Sequence, residues 1–265
     1  MHNLNGINSL NYSSASYTGP AVHIGDRVQY TDLYPLAQKH GYRAVGGAYP
    51  GVGLAGGFRQ GGGHGPLMGT YGVAADQVLE WEVVTATGQH LIISPTHHAD
   101  LYWALSGGGG GNFAVVLSVK VRAYNDGPVA GAAFLFQKCY TTEVHVNFAE
   151  SYDHWISQAE TSNTSRGGQN IPRSTVQDNT TLPALIPAFR DITEGGTIFL
   201  TAANITRGNY TPNVILPTWR DALYAVAFLN PLPENAQLDD IRTIQMQSNS
   251  WQKICALSCP EEAHT

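Results

Sequence analysis

The sequence predicts an α+β protein built as two units that join near residue 126. Three observations carry that reading. Short strand signals alternate with helix signals, and no repeat at a solenoid period appears. Charged residues are 13% of the chain, well below the usual quarter or so, and Gly, Ser, Thr and Tyr are abundant, which favours β structure with a neutral surface. Composition then changes at Asn125 to Pro128, where a glycine-rich half gives way to one richer in Asn and Thr.

Residues 1–20 read as polar and turn-rich, and Ala21 to Ile24 as a short strand. Thr31 to His40 reads as a helix, with Thr31 as N-cap, Asp32 and Pro35 in the first turn, Lys39 and His40 at the end, and Gly41 just beyond it. Leu79 to Ala86 alternates like a strand, Thr87-Gly88 turns, and His90 to Ser94 is its partner. Ser94-Pro95 starts a helix that carries Asp100 to Leu105, and Phe113 to Ala123 is a long strand. In the second unit, Gly131 to Gln137 reads as a strand, about Glu143 to Glu160 as a helix, and Thr161 to Thr181 as a polar connection. Thr197 to Asn204 and Tyr224 to Leu229 read as strands, and Asn235 to about Leu257 as a helix.

Net charge is −6 and Lys plus Arg total 14 with no basic run, so nucleic acid is not an expected partner. No apolar run reaches the ~18 residues of a membrane helix. The start, MHNLNGINSL, has no charged segment followed by an apolar core and does not read as a signal peptide. Five N-x-S/T sequons, at Asn11, Asn163, Asn179, Asn204 and Asn209, nevertheless point to a secretory ancestry and a glycoprotein. Three cysteines, Cys139, Cys255 and Cys259, make no disulfide framework, and Cys255-x-x-x-Cys259 lacks the second pair that a zinc site needs; inert thiols or one local disulfide remain.

Chemistry concentrates in glycine. Gly46 to Gly72 holds 12 glycines in 27 residues, and Gly107 to Gly111 is five in a row. Val52, Leu54, Phe58, Leu67 and Met68 lie between them, so this is ordered backbone placed close to another body and not a flexible linker. Gly51-x-Gly53-x-x-Gly56 matches the dinucleotide fingerprint, with Asp76 about 20 residues on, but Pro50 and the glycines that follow deny it the strand and helix it requires. No P-loop and no nucleophile elbow occur. Adjacent His97 and His98 point about 100° apart on a helix and do not share an ion readily. His64, set among Gly61, Gly62, Gly63 and Gly65, is placed either to touch a ligand or to bond its own turn.

An ordered series carries a family resemblance. It runs Gly46-Gly47-Ala48-Tyr49-Pro50-Gly51-Val52-Gly53, Gly56-Gly57, Gly61-Gly62-Gly63-His64-Gly65, Tyr71-Gly72-x-x-x-Asp76, Glu82-Val83-Val84, then Asp100 to Leu105 and Gly107-Gly108-Gly109-x-x-Asn112-Phe113. It resembles the second half of the PCMH-type FAD-binding domain of FAD-linked oxidases of the vanillyl-alcohol-oxidase type, in particular the berberine-bridge-enzyme-like oxidoreductases of fungi and plants. The match covers roughly residues 19–124, and Pro217 to Leu223 resembles a substrate-domain segment. The resemblance implies a second FAD-binding subdomain, a mixed sheet with helices, over residues 1–125. It implies a substrate domain, an antiparallel sheet flanked by helices, over residues 126–265. It places Gly47, Val52, Gly53, Gly56, Gly57 and His64 near flavin and pyrophosphate, and Gly72, Asp76 and Val83 toward the adenosine end. It implies hydride transfer from a small organic substrate, an alcohol, amine or other secondary metabolite, to the flavin, with O2 as electron acceptor. A base must take the substrate proton, for which Tyr224 and Tyr210 are candidates.

The chain departs from the family in three ways. Tyr49 stands where many members have a flavin-linked cysteine, so the resemblance implies non-covalent FAD here. The family's preceding G-H segment with its flavin-linked histidine is not matched; His2 and His23 lie outside such a motif. The C-terminal Cys259 to Thr265 does not continue the family pattern. Half a cleft would bind FAD weakly and expose apolar surface. A non-redox relative that binds or cyclises a small metabolite, and an inactive remnant, are the alternative readings.

Overall fold

The computed structural model describes residues 3–127, 133–136, 142–145, 164–178, 181–202, 205, 211–215, 217–233 and 235–257. They form two compact units: the first holds 3–127 with 205 and 211–215, and the second holds the rest.

The first unit runs β1 (Ile7–Ser13), β2 (Thr18–Gly25), α1 (Tyr30–Lys39), β3 (Tyr42–Arg43), α2 (Gly57–Gln60), α3 (Met68–Tyr71), β4 (Val78–Val84), β5 (His90–Ile93), α4 (Ala99–Leu105), β6 (Val115–Arg122) and β7 (Tyr124–Asn125). Five strands make one sheet in the order β1-β2-β6-β4-β5. Every pairing in it is antiparallel, where the resemblance implied a mixed sheet. The stretch expected to be turn-rich contains β1, which pairs with β2 from Ile7↔Ile24 to Ser13↔Thr18. Ser14 closes that hairpin: its hydroxyl accepts from the Ser16 and Tyr17 amides at 3.3 and 3.2 Å. A strand of Asn and Ser was illegible because its partner, not its own composition, supplies the order.

Alternation sends Val22, Ile24, Trp81, Val83, Val119 and Val121 into one core with Leu33 and Tyr34 of α1 and Leu105 of α4. Trp81 is fully buried, and its indole N–H donates to the Ser106 hydroxyl at 3.1 Å. The other face is polar, with Lys120 paired to Glu80, and Ser118 and His90 both on Glu82. Helix α1 starts one residue before Thr31. Gln29 is the N-cap because the Asp32 carboxylate accepts its amide at 3.0 Å, closing a capping box. Gly41 follows the helix with φ +67°, as its position required. Helix α4 begins only at Ala99, after a Ser94–His97 bridge and His98 at φ +57°.

The second unit runs β8 (Ala133–Phe136), β9 (Thr142–His145), β10 (Thr164–Pro172), α5 (Arg173–Gln177), α6 (Leu182–Gly195), β11 (Thr197–Ala202), α7 (Thr218–Asp221), β12 (Ala222–Pro231) and α8 (Leu238–Leu257). Strand β12 is central in an antiparallel sheet β10-β12-β11. Ile171, Leu185, Ala188, Ile192, Val226 and Trp251 form its core. Two expectations fail here. Thr142–His145 is a strand paired with β8, where a helix was expected from Glu143; residues 146–160 lie outside the described residues. Thr164–Pro172 is a strand and not a connection, because β12 pairs it over nine positions despite Gly167 and Gly168. Helix α6 gave no sequence signal, since Pro183 and Pro187 interrupt its pattern. Cys139 and Cys259 lie outside the described residues; among the described residues no helix is long and apolar enough to cross a membrane.

Candidate cofactor-binding site

Between β3 and β4 the chain makes almost no regular structure apart from α2, α3 and one 3₁₀ turn at Ala74–Gln77. Its glycines divide by what a Cβ would meet. On Gly46 it would lie 2.0 Å from the Tyr30 ring, on Gly65 1.8 Å from the Gly46 carbonyl oxygen, and on Gly63 2.7 Å from Phe58 and Ala74. These glycines serve close packing of the protein against itself. On Gly53 and Gly56 a Cβ would meet only Asp26, at 3.8 and 3.7 Å, and on Gly57 nothing within 4 Å. Those three form an open edge of bare backbone.

The second glycine cluster packs onto the first. A Cβ on Gly110 would lie 2.8 Å from the Gly57 Cα, and one on Gly107 2.8 Å from Ile215. The Gly109 amide donates to the Gln60 carbonyl at 2.9 Å. Glycine at 107–111 thus brings one backbone against another.

Of the residues expected at the site, Gly47 is buried; the Tyr34 hydroxyl donates to its carbonyl at 3.2 Å. Val52 is half-buried and packs against the core. Gly53 bridges Gln29, and the Leu54 amide donates to the Val28 carbonyl at 3.0 Å, so this turn is anchored to the end of β2 and the start of α1. Gly56 caps α2 and Gly57 begins it. His64 is exposed at one side, yet crowding on the other lowers its pKa by desolvation and favours the neutral ring. Gly72 has φ +86° and ψ 179°, a conformation held for glycine. Asp76 is buried with both oxygens engaged: Oδ2 accepts from the Val73 amide at 3.0 Å and Oδ1 from the Asn213 side chain at 2.7 Å. Val83 is fully buried in the core, and its backbone pairs with both Leu91 and Val116. Gly53, Gly56 and Gly57 are therefore brought together on one open edge, while the side chains of Asp76 and Val83 are committed elsewhere. Tyr49 is 48% exposed beside Gly51. Of the candidate bases, Tyr224 packs against the second unit's core and Tyr210 lies outside the described residues. His97 and His98 meet edge to face at 4.3 Å in an exposed turn.

Two residues at the site went unread in the sequence. Asp26, directly after β2, is the side chain nearest the open edge, and burial pushes its carboxyl pKa up. Arg59 is fully buried under the same turn. Asp26 could have been suspected from its place at a strand end, but a lone Arg between glycines gives no sign of burial.

An extended nucleotide fits such an edge, since bare Cα atoms admit close approach of the backbone N–H groups that bind a diphosphate. Residues 1–94 match the FAD binding domain family. The VAO-type flavoprotein oxidase VAO615 of Thermothelomyces thermophilus is 54% identical over 137 residues, which are 51% of this chain and 24% of that protein. The FAD-linked oxidoreductase patO of Penicillium expansum is 46% identical over 188 residues, 71% of this chain and 32% of that protein. The matched stretches are thus about a third or less of these relatives' own lengths. The solved VAO-type flavoprotein MtVAO615 from Myceliophthora thermophila C1 superposes with a TM-score of 0.87 at 28% identity, covering 98% of this chain and 62% of that one. The open glycine edge lies within the stretch that matches the FAD binding domain family, and the chain is similar in sequence and fold to VAO-type flavoprotein oxidases and FAD-linked oxidoreductases.

Proposed function

We propose that this chain forms the flavin-binding side of an FAD-dependent oxidoreductase that oxidises a small organic molecule, an alcohol, amine or other secondary metabolite. The observation that carries this reading is the open edge at Gly53, Gly56 and Gly57 inside the residues that match an FAD binding domain. Bound FAD supplies the hydride-accepting chemistry, with O2 as the electron acceptor. The chain supplies binding and orientation. Gly53, Gly56 and Gly57 would meet the cofactor with backbone, and Gly47, Val52 and His64 would flank them. Gly72, Asp76 and Val83 would lie toward the adenosine end and act through backbone or by holding the turn, since the Asp76 and Val83 side chains are engaged within the protein. Residues 1–125 are the flavin-binding part in this reading and 126–265 the substrate-binding part.

Attachment is non-covalent in this reading. Tyr49 occupies the position of the family's flavin-linked cysteine, and a phenol is not a thiolate nucleophile. The test is an absorption spectrum of the purified chain loaded with FAD and desalted. The expected result is a flavin band that stays with the protein and moves to the supernatant on acid precipitation. A folded chain that retains no flavin would falsify the proposal, and a band that stays in the precipitate would overturn the non-covalent attachment.

A further inference from the structure

Arg59 is a fully buried guanidinium, and no carboxylate among the described residues pairs with it. It is held instead by three backbone carbonyls: Nε donates to Leu54 at 3.2 Å, Nη1 to Ala74 at 2.6 Å and Nη2 to Val45 at 3.5 Å. A buried cation without a counter-ion is costly, so its place asks for a reason. The three carbonyls belong to three separate segments: the exit of β3, the open glycine turn, and the 3₁₀ turn before β4.

A peptide is planar, so a carbonyl turned one way turns the next residue's N–H the other way. That consequence is visible at one of the three segments. With the Ala74 carbonyl on Arg59, the Ala75 amide donates to the Gly62 carbonyl at 2.8 Å. At the glycine turn, the Leu54 carbonyl on Arg59 fixes the buried Leu54–Ala55 peptide directly before the open Gly56 and Gly57. The neighbouring Gln60, also buried, donates to the Ala55 carbonyl at 3.4 Å and holds the following peptide.

We propose that Arg59 is a positioning residue: it collects the carbonyls of Val45, Leu54 and Ala74 and so holds the turn whose open Gly56 and Gly57 backbone meets the diphosphate of a bound dinucleotide. The inference rests on the flavin-binding reading above and names the group that shapes the site. A lysine in its place keeps the charge but reaches fewer carbonyls, because one ammonium replaces a planar fork of five donors.

The test compares the wild-type chain with Arg59→Lys in binding FAD, ADP and riboflavin, which has no phosphate, by fluorescence quenching and calorimetry. The expected result is about tenfold weaker FAD and ADP binding with riboflavin affinity within about threefold. Equal losses for all three ligands, or no loss for any, overturn the positioning role, since a general weakening of the fold would move them together. Amide hydrogen exchange of the wild-type chain with saturating ADP is the second arm, and it decides alone if Arg59→Lys does not fold. Slower exchange at 56 and 57 is expected, and unchanged exchange there overturns the inference. A chain that binds FAD but shows neither the phosphate-specific loss nor this protection removes the role of Arg59 only. A chain that binds ADP but not FAD removes the flavin reading and leaves the diphosphate site. A chain that binds neither removes both.

Discussion

A Cβ on Gly65 would sit 1.8 Å from a backbone oxygen, whereas one on Gly53 would touch only the Asp26 carbonyl at 3.8 Å. The two glycines therefore answer to different demands, and substitution separates them. Gly65→Ala is expected to destabilise the fold by about 1–3 kcal/mol, as overpacking does, read as a lower midpoint in urea. Gly53→Val is expected to leave that midpoint nearly unchanged and to abolish flavin binding, because the new side chain fills the open edge; undiminished binding would show the edge is not where flavin lies. Asp26 makes a second prediction at this scale. Burial raises its folded pKa, so the stability it contributes is complete below the unfolded pKa and is lost as pH rises through the folded one. Asp26→Asn should accordingly raise the melting temperature at neutral pH, with the gain vanishing near about pH 3, below the ordinary carboxyl range. A gain of equal size at both pH values would assign the effect to something other than the charge.

At the scale of elements, the strands that could be read were those whose own residues alternate. Trp81 and Val83 of β4 face the core, Glu80 and Glu82 face away, and the sequence shows it. Strand β10 cannot be read that way, because its order comes from β12 across the sheet. Helix α8 was legible from its length, and its role is set by the few residues that face β10 and α6. Trp251, 5% exposed, is the largest of these in the second core, and Gly195 at the end of α6 lies against its ring. Trp251→Ala should cost about 3–5 kcal/mol in the second unit, measured by urea unfolding with circular dichroism. A loss below about 1 kcal/mol would mean that α8 is not held through this residue.

For the whole molecule, two compact units imply that a ligand on one need not protect the other. On the proposed reading, FAD at the glycine edge would stabilise the first unit by about 2.7 kcal/mol at a hundredfold excess over Kd. Hydrogen exchange should therefore slow at buried amides within 44–77 and β4, while α6 and β11 exchange as before. Equal protection in both units would place the flavin against both.

Taken alone, the sequence determined that the chain is α+β, that composition changes near residue 126, and that Gly46 to Gly72 is ordered backbone with an FAD-linked resemblance. Local rules reach that far, because alternation, helix ends and glycine density are properties of neighbouring residues. Only the tertiary structure decided which glycines pack against the protein and which stay open. Gly46, Gly63 and Gly65 face Tyr30, Phe58 and another backbone, while Gly53, Gly56 and Gly57 stay open, and no pattern in the sequence separates the two groups. It also decided that Asp76 and Val83 spend their side chains on the protein itself, and that Arg59 lies buried where its charge is met by carbonyls from three segments. The physical reason is the same in each case: what a residue touches is set by chain that comes from far away, and close approach leaves no mark on the residues beside it.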